Sequence, residues 1–533
     1  MRNSNYASLK RTLEEMGAFV ITLLAMLIGF LIGIITNNYI TQGTIFKYFQ
    51  TKRRYPMLNA KIESILQSLK FDTDRIIKLQ EIIRNELTKG LSNTTHYEAD
   101  VKMIPSYVRY LPMGNERGTV LALDLGGTNF RVLKVQLLGG GKKPIVSSKV
   151  FIVPRSIMMG SGNDLFDYLA ESLYGFLKTE HLTNAHLSLG FTFSFPCNQN
   201  GLSSAKLSSW TKGFKCEGVI GKDVVMLLQR AIDAKGMNVK VTALINDTVG
   251  TLVSCAYGDP TTAIGVIIGT GFNACYIENI NEVGIWDGDY NEPNEVIVNT
   301  EWGALGSDGC IEWLLTPYDK EVDRSSINPG KQIFEKLVSG MFMGEIVRNI
   351  ILDLMEKDLL FMNDNSLHPK IYRASLGTPG AFLAKYVSDI ESDDGIGFSD
   401  TAKVLQQLGV PNAKFEDCAI IQYICKLVSK RAGVLVAVGL SCLIERIMRN
   451  RNVHSKTPCE IVVGIDGSVY RYHPKFHKNI MKPLSRLLPK NITCSLKLSN
   501  DGSGIGAALV AYIDSLHNEQ NSSATSKVNF VLE

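Results

Sequence analysis

A short strand, a glycine turn and a second strand occur twice in this chain, and this repeat most constrains its fold. Residues 121–131 (LALDLGGTNFR) form an apolar run that stops at Asp124, passes through Gly126 and Gly127, and then resumes. Residues 263–277 (AIGVIIGTGFNACYI) repeat the pattern much later in the chain. A repeat with so long a period predicts two related domains rather than a solenoid.

The first turn suits a phosphate group, although an ordinary β-hairpin gives the same pattern. Glycines let the main chain approach an anion and adopt positive φ, and Thr128 adds a hydroxyl donor beside Asn129. The carboxylate of Asp124 stands at the start of the turn, where it suits a nearby Mg²⁺. The turn therefore predicts either a plain hairpin or a cradle for the phosphates of ATP.

Composition favours a large protein with two lobes. The 533 residues are 45% hydrophobic, which allows two sizeable cores. The net charge of +4 is spread along the chain without a dense basic patch, so we expect no nucleic-acid partner. The 10 cysteines and 8 histidines show no metal-ligand spacing. This favours reduced thiols over disulfides and predicts that there is no transition-metal site.

The amino-terminal region contains a candidate membrane anchor. Residues 17–35 are uncharged and apolar apart from Thr22, just long enough to span a bilayer as a helix. A cleaved signal peptide is the alternative, but the apolar run is long and no small-residue cleavage site follows it. Basic residues flank both sides, and the heavier cluster at 47–54 favours a cytosolic body. We expect residues 1–56 to be an anchor and its tether.

The rest of the chain alternates strand and helix patterns, which predicts an α/β architecture. A small lobe should cover residues 57–245 and begin with two amphipathic helices broken near Asp72. A large lobe should cover residues 246–515, although 500–515 could return to the small lobe. Residues 516–533, which include a Ser- and Asn-rich segment, are expected to form a disordered tail.

Long helical patterns dominate the second half. The apolar spacing predicts helices over 331–360, 379–392 and 418–449. Two further glycine turns with acidic and hydroxyl residues follow, at 463–469 and 499–507. The second of these turns opens a helix, where backbone N–H groups favour an anion.

A polar loop follows the strand pattern that ends near Ser194. On its own the segment LGFTFSFPC is simply the end of a strand. Thr211 and Lys212 follow in SSWTKGF, a loop that offers a hydroxyl and an ammonium side by side. Lys212 is either a solvated surface lysine or part of a ligand-facing loop.

Asn246 and Asp247 directly follow the apolar run 239–245. A carboxylate at the carboxyl end of a strand lies where α/β proteins bind their ligands. Either residue could also simply cap the next helix, and both roles are compatible. With Thr248 they form a glycosylation sequon, which has to be unmodified if this is an active site.

Two glutamates complete the candidate residues. Glu301 lies beside Trp302 and Gly303 in NTEWGALGSD, an unusual setting for a carboxylate. Glu335, in KQIFEK, is by itself typical of a helix surface.

Taken together, residues 57–515 resemble the hexokinase family. The matching segments occur in family order and are LALDLGGTNFRV, LGFTFSFPC, SSWTKGF, NDTVGT, IGTGFNACYIE, VNTEWGALGSDG, QIFEKLVSG and DGSVY. The resemblance implies a two-lobed actin-like ATPase (ribonuclease H-like) fold. It also implies transfer of the ATP γ-phosphoryl group to the 6-hydroxyl of a hexose such as glucose, the first step of glycolysis.

The resemblance also implies roles for individual residues. Asp247 resembles the catalytic base and Lys212 neutralises charge beside it. The sugar-binding residues would be Ser194, Thr211, Lys212, Asn246, Asp247, Asn273, Glu301 and Glu335. The nucleotide side would comprise Asp124, Gly126, Gly127, Thr128, Asn129, Arg131, Thr270, Ser388 and Ser468, with Asp124 near Mg²⁺ through a water molecule.

The chemistry of the reaction agrees with these roles. The sugar's hydroxyl groups both donate and accept hydrogen bonds, so they need carboxylates, amides and hydroxyls from several loops. The attacking hydroxyl needs a base for its proton, and phosphoryl transfer otherwise needs positioning and charge neutralisation.

Three positions on the nucleotide side depart from some relatives. Met341 and Ile505 replace basic residues, and Ala384 replaces a threonine.

An active, membrane-tethered hexokinase is the main hypothesis. The alternative is a membrane-tethered sugar sensor or scaffold whose phosphotransfer is weakened. An amino-terminal anchor on a cytosolic hexokinase most resembles attachment to the outer mitochondrial membrane, with the endoplasmic reticulum as the alternative.

Overall fold

The computed structural model describes residues 60–126, 129–361, 376–393, 397–454 and 456–529, with side chains up to residue 517. The predicted membrane anchor at 17–35 lies outside the described residues. So do Gly127 and Thr128 of the first glycine turn.

The described residues form two main sheets and a small two-stranded one. The strands are β1 (Ile104–Pro105), β2 (Arg117–Leu125), β3 (Asn129–Leu138), β4 (Ile145–Ile152), β5 (Leu187–Phe193), β6 (Cys197–Gln199), β7 (Ala205–Leu207), β8 (Val239–Ile245), β9 (Thr262–Ile268), β10 (Phe272–Asn279), β11 (Glu295–Asn299), β12 (Cys459–Asp466) and β13 (Ile492–Leu498). One sheet has the order β4-β3-β2-β5-β8 and belongs to the small lobe, and the other has the order β1-β11-β10-β9-β12-β13 and belongs to the large lobe.

The two main sheets share one topology. In each, three consecutive strands pair antiparallel, β2-β3-β4 in one and β9-β10-β11 in the other. Two parallel strands then extend each sheet beside its first strand, β5 and β8 in one and β12 and β13 in the other. The predicted pair of related domains is therefore present, and each glycine turn joins the first two strands of its antiparallel set, β2 to β3 and β9 to β10.

The helices surround these sheets. They are α1 (Ala60–Leu66), α2 (Thr73–Leu91), α3 (Arg155–Met158), α4 (Gly162–Thr179), α5 (Val224–Ala234), α6 (Asp247–Gly258), α7 (Pro317–Ser325), α8 (Ile333–Val338), α9 (Gly340–Glu356), α10 (Ala384–Ser392), α11 (Ser399–Gln407), α12 (Phe415–Asn450), α13 (Ser468–Tyr472), α14 (Phe476–Leu487) and α15 (Gly502–Asn529).

Two of these helices cross between the lobes. Helix α6 packs on the large-lobe sheet, and α15 packs on the small-lobe sheet, where Thr192 and Thr242 donate to its backbone carbonyls. The helices meet so closely that a Cβ at Gly506 would lie 2.0 Å from the Gly250 carbonyl oxygen. Only glycine fits there. Residues 502–513 therefore pack with the small lobe, although they follow the large lobe in sequence.

The placement of the amino-terminal helices corrects the predicted division of the lobes. The break near Asp72 is present, since Asp72 caps α2 by accepting from the Arg75 N–H. However, α2 packs on α12 of the large lobe, where Gln80 donates to Ser441. An apolar helix face predicts burial but not the partner, so the sequence alone could not assign these helices to a lobe.

Helix α12 is the core of the large lobe. It is long and apolar enough to span a membrane, and within the described ranges it alone meets that test. Nearly all of its most apolar stretch is buried inside the protein, against α2, α10 and α14. Its length and hydropathy thus reflect a buried core helix.

Two predicted segments differ from the structure. The helix expected over 331–360 is interrupted at Ser339, whose extended backbone separates α8 from α9. This break lets the Gly340 N–H donate to the Gly269 carbonyl across 2.8 Å, which joins α9 to the second glycine turn. The disordered tail expected over 516–533 is also wrong as far as residue 529, because α15 continues to Asn529. Once a helix is nucleated on a core, each further residue adds a hydrogen bond.

Candidate active site

The site lies where the carboxyl ends of β5 and β8 meet the start of α6. Asn246 caps α6, since its Oδ1 accepts from the Thr248 N–H across 2.9 Å. Asp247 begins the first turn and is half-buried. The residue that caps α6 is therefore Asn246, and not Asp247.

The loop that carries Lys212 is held in place by aromatic packing. The Trp210 indole donates to the Cys216 carbonyl across 2.9 Å and stacks on Phe214. Lys212 has a left-handed backbone with φ of 54°, and its ammonium donates to the Ser194 carbonyl across 2.8 Å. Lys212 is exposed but oriented, unlike a freely solvated lysine. Thr211 lies beside it and is also exposed.

Glu301 is fixed by two amide side chains. Its Oε1 accepts from Asn273 Nδ2 across 3.0 Å and from Asn299 Nδ2 across 2.7 Å. The two amides are themselves joined, because Asn273 Nδ2 also lies 2.9 Å from Asn299 Oδ1. Glu301 has a left-handed backbone with φ of 54°, a sparsely populated conformation that is common at functional sites.

Glu335 is not the exposed helix residue that its local sequence suggests. Its Oε2 accepts from the Phe272 N–H across 2.8 Å, and the side chain is half-buried. The neighbouring rings of Phe272, Trp302 and Phe334 pack together beneath it. This aromatic core places α8 against the second glycine turn.

The electrostatics link these groups into one site. Burial raises the pKa of Asp247, Glu301 and Glu335, and in each case the Lys212 ammonium acts in the opposite direction. The negative charge of Asp247 also raises the pKa of Glu301, and that of Glu301 raises the pKa of Glu335. One ammonium thus lowers the pKa of three half-buried carboxyl groups, and such perturbed groups are concentrated at functional sites.

The hydroxyl of Ser194 supports the same location. Its Oγ is buried and lies close enough to Asp247 to lower the pKa of that carboxyl by hydrogen bonding, and its carbonyl accepts from Lys212. Ser194 thus contacts both Asp247 and Lys212, which places its hydroxyl within this group of charged side chains.

The first glycine turn lies against the start of α15. Asp124 Oδ2 accepts from Arg131 across 2.6 Å and from the Ser503 hydroxyl across 2.8 Å. Arg131 also pairs with Asp501. The structure therefore brings Asp124 and Arg131 together, next to the exposed Gly126 and Asn129 of the turn, and their role toward a nucleotide stays a prediction.

Three loops converge at the second glycine turn. The Met341 N–H approaches the Thr270 carbonyl at 3.4 Å, which joins the turn to the start of α9. Gly467 has a φ of 114°, and a Cβ there would lie 2.4 Å from the Ile268 carbonyl oxygen. Its close approach brings the backbone nitrogen of Ser468, at the start of α13, to 3.5 Å from the position that a Cβ on Gly269 would occupy.

Ser388 lies apart from these loops. It is half-buried on α10, and its hydroxyl approaches only the Ala384 carbonyl of the same helix, at 3.5 Å, among the hydrogen bonds of the described residues. The three departures differ in environment: Met341 is 53% exposed, whereas Ala384 and Ile505 are half-buried.

Sequence reasoning missed Asn299, Asp501 and Ser503. Asn299 lies in the segment VNTEW, two residues before Glu301, but no local pattern distinguishes it from a strand end. Asp501 and Ser503 belong to the glycine turn at 499–507, where the start of a helix favours an anion. Their contact with Arg131 and Asp124 joins residues more than 350 positions apart, which the sequence does not reveal.

Comparisons with known proteins agree with this arrangement. Family models described as hexokinase match residues 61–257 and 263–513. The hexokinase of Schistosoma mansoni is 44% identical over 454 residues, which cover 84% of this chain and 96% of that protein. The chain belongs to the hexokinase family.

Further relatives and solved structures show the same fold. Hexokinase-2 of Rattus norvegicus is 42% identical over 457 residues, and this chain spans 48% of its length. A solved structure of Schistosoma mansoni hexokinase complexed with glucose aligns with a TM-score of 0.75 and 42% identity over 85% of this chain and 98% of that one. A second hexokinase structure aligns with a TM-score of 0.71 and 30% identity over 85% of this chain and 98% of that one.

These findings confirm the family, the two-lobed sugar-kinase fold and a kinase activity that phosphorylates a hexose with ATP. The roles of the individual residues remain predictions from the motifs and from the geometry above.

Proposed function

We propose that this hexokinase transfers the γ-phosphoryl group of ATP to the 6-hydroxyl of glucose and related hexoses, with Asp247 as the base. The observation that carries the proposal is the placement of one oriented ammonium, Lys212, among three half-buried carboxylates. The bound glucose of the Schistosoma mansoni structure supports glucose as the substrate.

Sugar recognition would rest on the fixed polar groups. Glu301 and Asn273 form a preorganised acceptor and donor pair, and Glu335 offers a second carboxylate from α8. Asn246, Thr211 and Ser194 add an amide and two hydroxyls from neighbouring loops. Because these groups are already oriented, binding a sugar costs little side-chain entropy, and analogues lacking a hydroxyl leave polar groups unpaired.

Asp247 would accept the proton of the attacking hydroxyl. The sugar oxygen then bonds to the γ-phosphorus, the bond from phosphorus to the bridging oxygen breaks, and ADP leaves. Burial raises the pKa of Asp247, which makes its carboxylate a stronger base than an exposed aspartate, while the Lys212 ammonium lowers this pKa and so favours the ionised form. Lys212 also offers positive charge near the transferred group.

The nucleotide side fits a hydrated Mg²⁺. Both hydrogen bonds to Asp124 fall on Oδ2, so Oδ1 is the oxygen that would face a metal-bound water. Mg²⁺ prefers oxygen donors and keeps several waters, and when bound it would neutralise phosphate charge. Arg131, Thr270 and Ser468 would line the phosphates, and Ser388 would lie further along the nucleotide.

The test is an assay for glucose 6-phosphate with glucose and Mg-ATP. We expect product that depends on both substrates, with the phosphoryl group on the 6-oxygen by phosphorus NMR. The matched control is 6-deoxyglucose, which lacks the acceptor hydroxyl and should bind more weakly than glucose without being phosphorylated. Glucose binding without any product would instead favour the sugar sensor or scaffold.

We further propose that residues 17–35 anchor the enzyme in a membrane with the catalytic body in the cytosol, the outer mitochondrial membrane being the preferred location. Support comes from the length of this uncharged segment and from the basic cluster that follows it.

An alkaline extraction of cell membranes tests the anchor. Ile28→Arg should release the protein, because an arginine near the centre of a spanning helix costs roughly 2.5–3.5 kcal/mol. Leu9→Arg, outside the segment, is the matched control and should leave the protein in the membrane. Deleting residues 1–50 should give a soluble enzyme with nearly unchanged turnover. If Ile28→Arg stays bound, the anchor proposal is wrong, and fractionation of the wild type identifies the membrane.

A further inference from the structure

Two buried ionisable residues, Glu391 and His473, connect helices α10 and α13, which carry Ser388 and Ser468 of the proposed nucleotide site. Neither Glu391 nor His473 is itself one of the proposed nucleotide-binding residues. Glu391 is fully buried near the end of α10, and His473 is 5% exposed at the end of α13. Their side chains approach so that His473 Nε2 lies 3.2 Å from Glu391 Oε1. Burying such groups costs free energy unless they are paired or hydrogen-bonded.

The tautomer of His473 follows from its surroundings. Its Nδ1 accepts from the Lys475 N–H across 3.3 Å, so the proton of a neutral ring lies on Nε2 and faces the carboxylate. The approach is not aligned as a full hydrogen bond, and Glu391 Oε2 and His473 Nε2 are both buried without one. The contact is therefore mainly electrostatic, and it depends on the relative position of the two elements.

Other contacts hold the same junction. The Ser429 hydroxyl of α12 donates to Glu391 Oε1, and Asn479 of α14 donates to Ser429 across 3.3 Å. The Lys475 ammonium donates to the Glu391 carbonyl across 2.6 Å, which closes the end of α10. Four helices thus meet at one buried carboxylate.

The pair lies directly behind two residues of the proposed nucleotide site. Ser388 is one helical turn before Glu391 on α10, so the two side chains share a helix face. Ser468 begins α13, and the His473 N–H closes that helix by donating to the Val469 carbonyl across 3.0 Å. Movement of the pair would therefore change the spacing between Ser388 and Ser468.

We propose that Glu391 and His473 are positioning residues that fix α10 against α13 and so set the geometry of the nucleotide side. The inference rests on the proposed assignment of Ser388 and Ser468 to the nucleotide. The pair touches neither substrate. It acts through the two helices that carry those serines.

The experiment measures ADP and glucose affinities by calorimetry on the full-length protein, beside the KM for each substrate. His473→Phe retains the ring packed on Phe476 but removes the N–H that faces Glu391. We expect ADP affinity to fall about tenfold, as small misplacements in binding sites commonly cause, while glucose affinity stays unchanged. His473→Gln, which restores a donor, should recover most of the ADP affinity.

The matched control is a buried ion pair that also involves α12. Asp319 and Arg431 are both nearly inaccessible and join α7 to α12, on elements that carry none of the proposed nucleotide residues. Asp319→Asn should lower the melting temperature without lowering the affinity for ADP. An equal loss of ADP affinity in this control would reduce the Glu391–His473 pair to a purely structural role and overturn the proposal.

Further outcomes separate the two proposals. If His473→Phe does not fold, Ser429→Ala is the second variant, because it removes only the hydroxyl that donates to Glu391. It should lower the affinity for ADP while leaving that for glucose unchanged. Unchanged ADP affinity in the folded variants overturns the inference. Wild-type protein that binds ADP but does not phosphorylate glucose would refute the proposed function while leaving the positioning role standing. Wild-type protein that does not bind ADP would refute both.

Discussion

The side-chain amide of Asn299 donates to Glu301 Oε1 across 2.7 Å, and its carbonyl accepts from Asn273 across 2.9 Å. Asn299 ends β11 and Asn273 lies on β10, the strand paired with it. The orientation of Glu301, a residue that we propose binds a sugar hydroxyl, is therefore set by the register of two adjacent strands.

Asn299→Ala should selectively weaken sugar use. A hydrogen bond to a charged group contributes about 1.5–3 kcal/mol, so we expect kcat/KM for glucose to fall about tenfold or more. The KM for ATP should stay near its wild-type value, because Asn299 contacts only the sugar side. Steady-state kinetics measure both constants. Asn281→Ala, at an exposed position of the same lobe, is the matched control; an equal loss there would contradict this role.

The pH profile of turnover should report on Lys212. Turnover requires ionised Asp247, so it falls as the pH drops through the pKa of that carboxyl, which burial raises. The ammonium of Lys212 lowers this pKa, so Lys212→Met should move the acid limb of the profile to higher pH. Lys212→Arg keeps the charge and should leave the limb in place. An unmoved limb in Lys212→Met would show that Asp247 does not titrate in this limb.

The buried carboxylates should also cost stability. Burial raises the pKa of Glu301, so the folded protein binds more protons than the unfolded chain between the unfolded and folded pKa values. This contribution to stability is present at low pH and is lost as the pH rises through the raised pKa. The amide of Glu301→Gln does not titrate, so this variant does not undergo that loss of stability as the pH rises. It should melt about 1–3 °C above the wild type at neutral pH.

Melting curves across a range of pH check this expectation. The difference between Glu301→Gln and the wild type should shrink as the pH falls. Glu321→Gln changes a carboxylate paired with Arg324 at the protein surface and serves as the control without such a gain. A Glu301→Gln protein that is less stable than the wild type at neutral pH would contradict the account.

Met341 offers a test of nucleotide affinity. Its side chain is 53% exposed beside Thr270, where a longer basic residue could reach a phosphate. Met341→Lys should lower the KM for ATP a few-fold, since an exposed charge contributes about 1 kcal/mol or less. Met341→Gln is the uncharged control. Ile505→Lys is expected to help less, because Ile505 packs half-buried against the core. An unchanged KM for ATP in Met341→Lys would exclude this position from the nucleotide site.

The sequence predicted the repeated elements well because their signals are local. The strand at residues 239–245 has the predicted bounds, and Asp72 caps the helix that follows the predicted break. The Gly/Thr turns predicted both hairpins. These features depend on alternation, capping and turn residues that neighbouring positions supply.

Features that depend on distant contacts could not be predicted in this way. The exposed-helix interpretation of Glu335 failed because its partner, the Phe272 N–H, is 63 positions away. The placement of α2 on the large lobe depends on its pairing with α12, several hundred residues later. The family motifs predicted which residues form the site, but the hydrogen bond by which Asn299 orients Glu301 is visible only in the three-dimensional arrangement.

The most direct test of the central claim compares Asp247→Asn with the wild type in one experiment. Glucose binding is followed by calorimetry and product formation with Mg-ATP by rapid quench. The amide has the shape of the carboxylate but cannot accept the proton. The account predicts nearly unchanged glucose affinity and turnover lowered at least about 10²-fold. Turnover close to that of the wild type would contradict the assignment of Asp247 as the base.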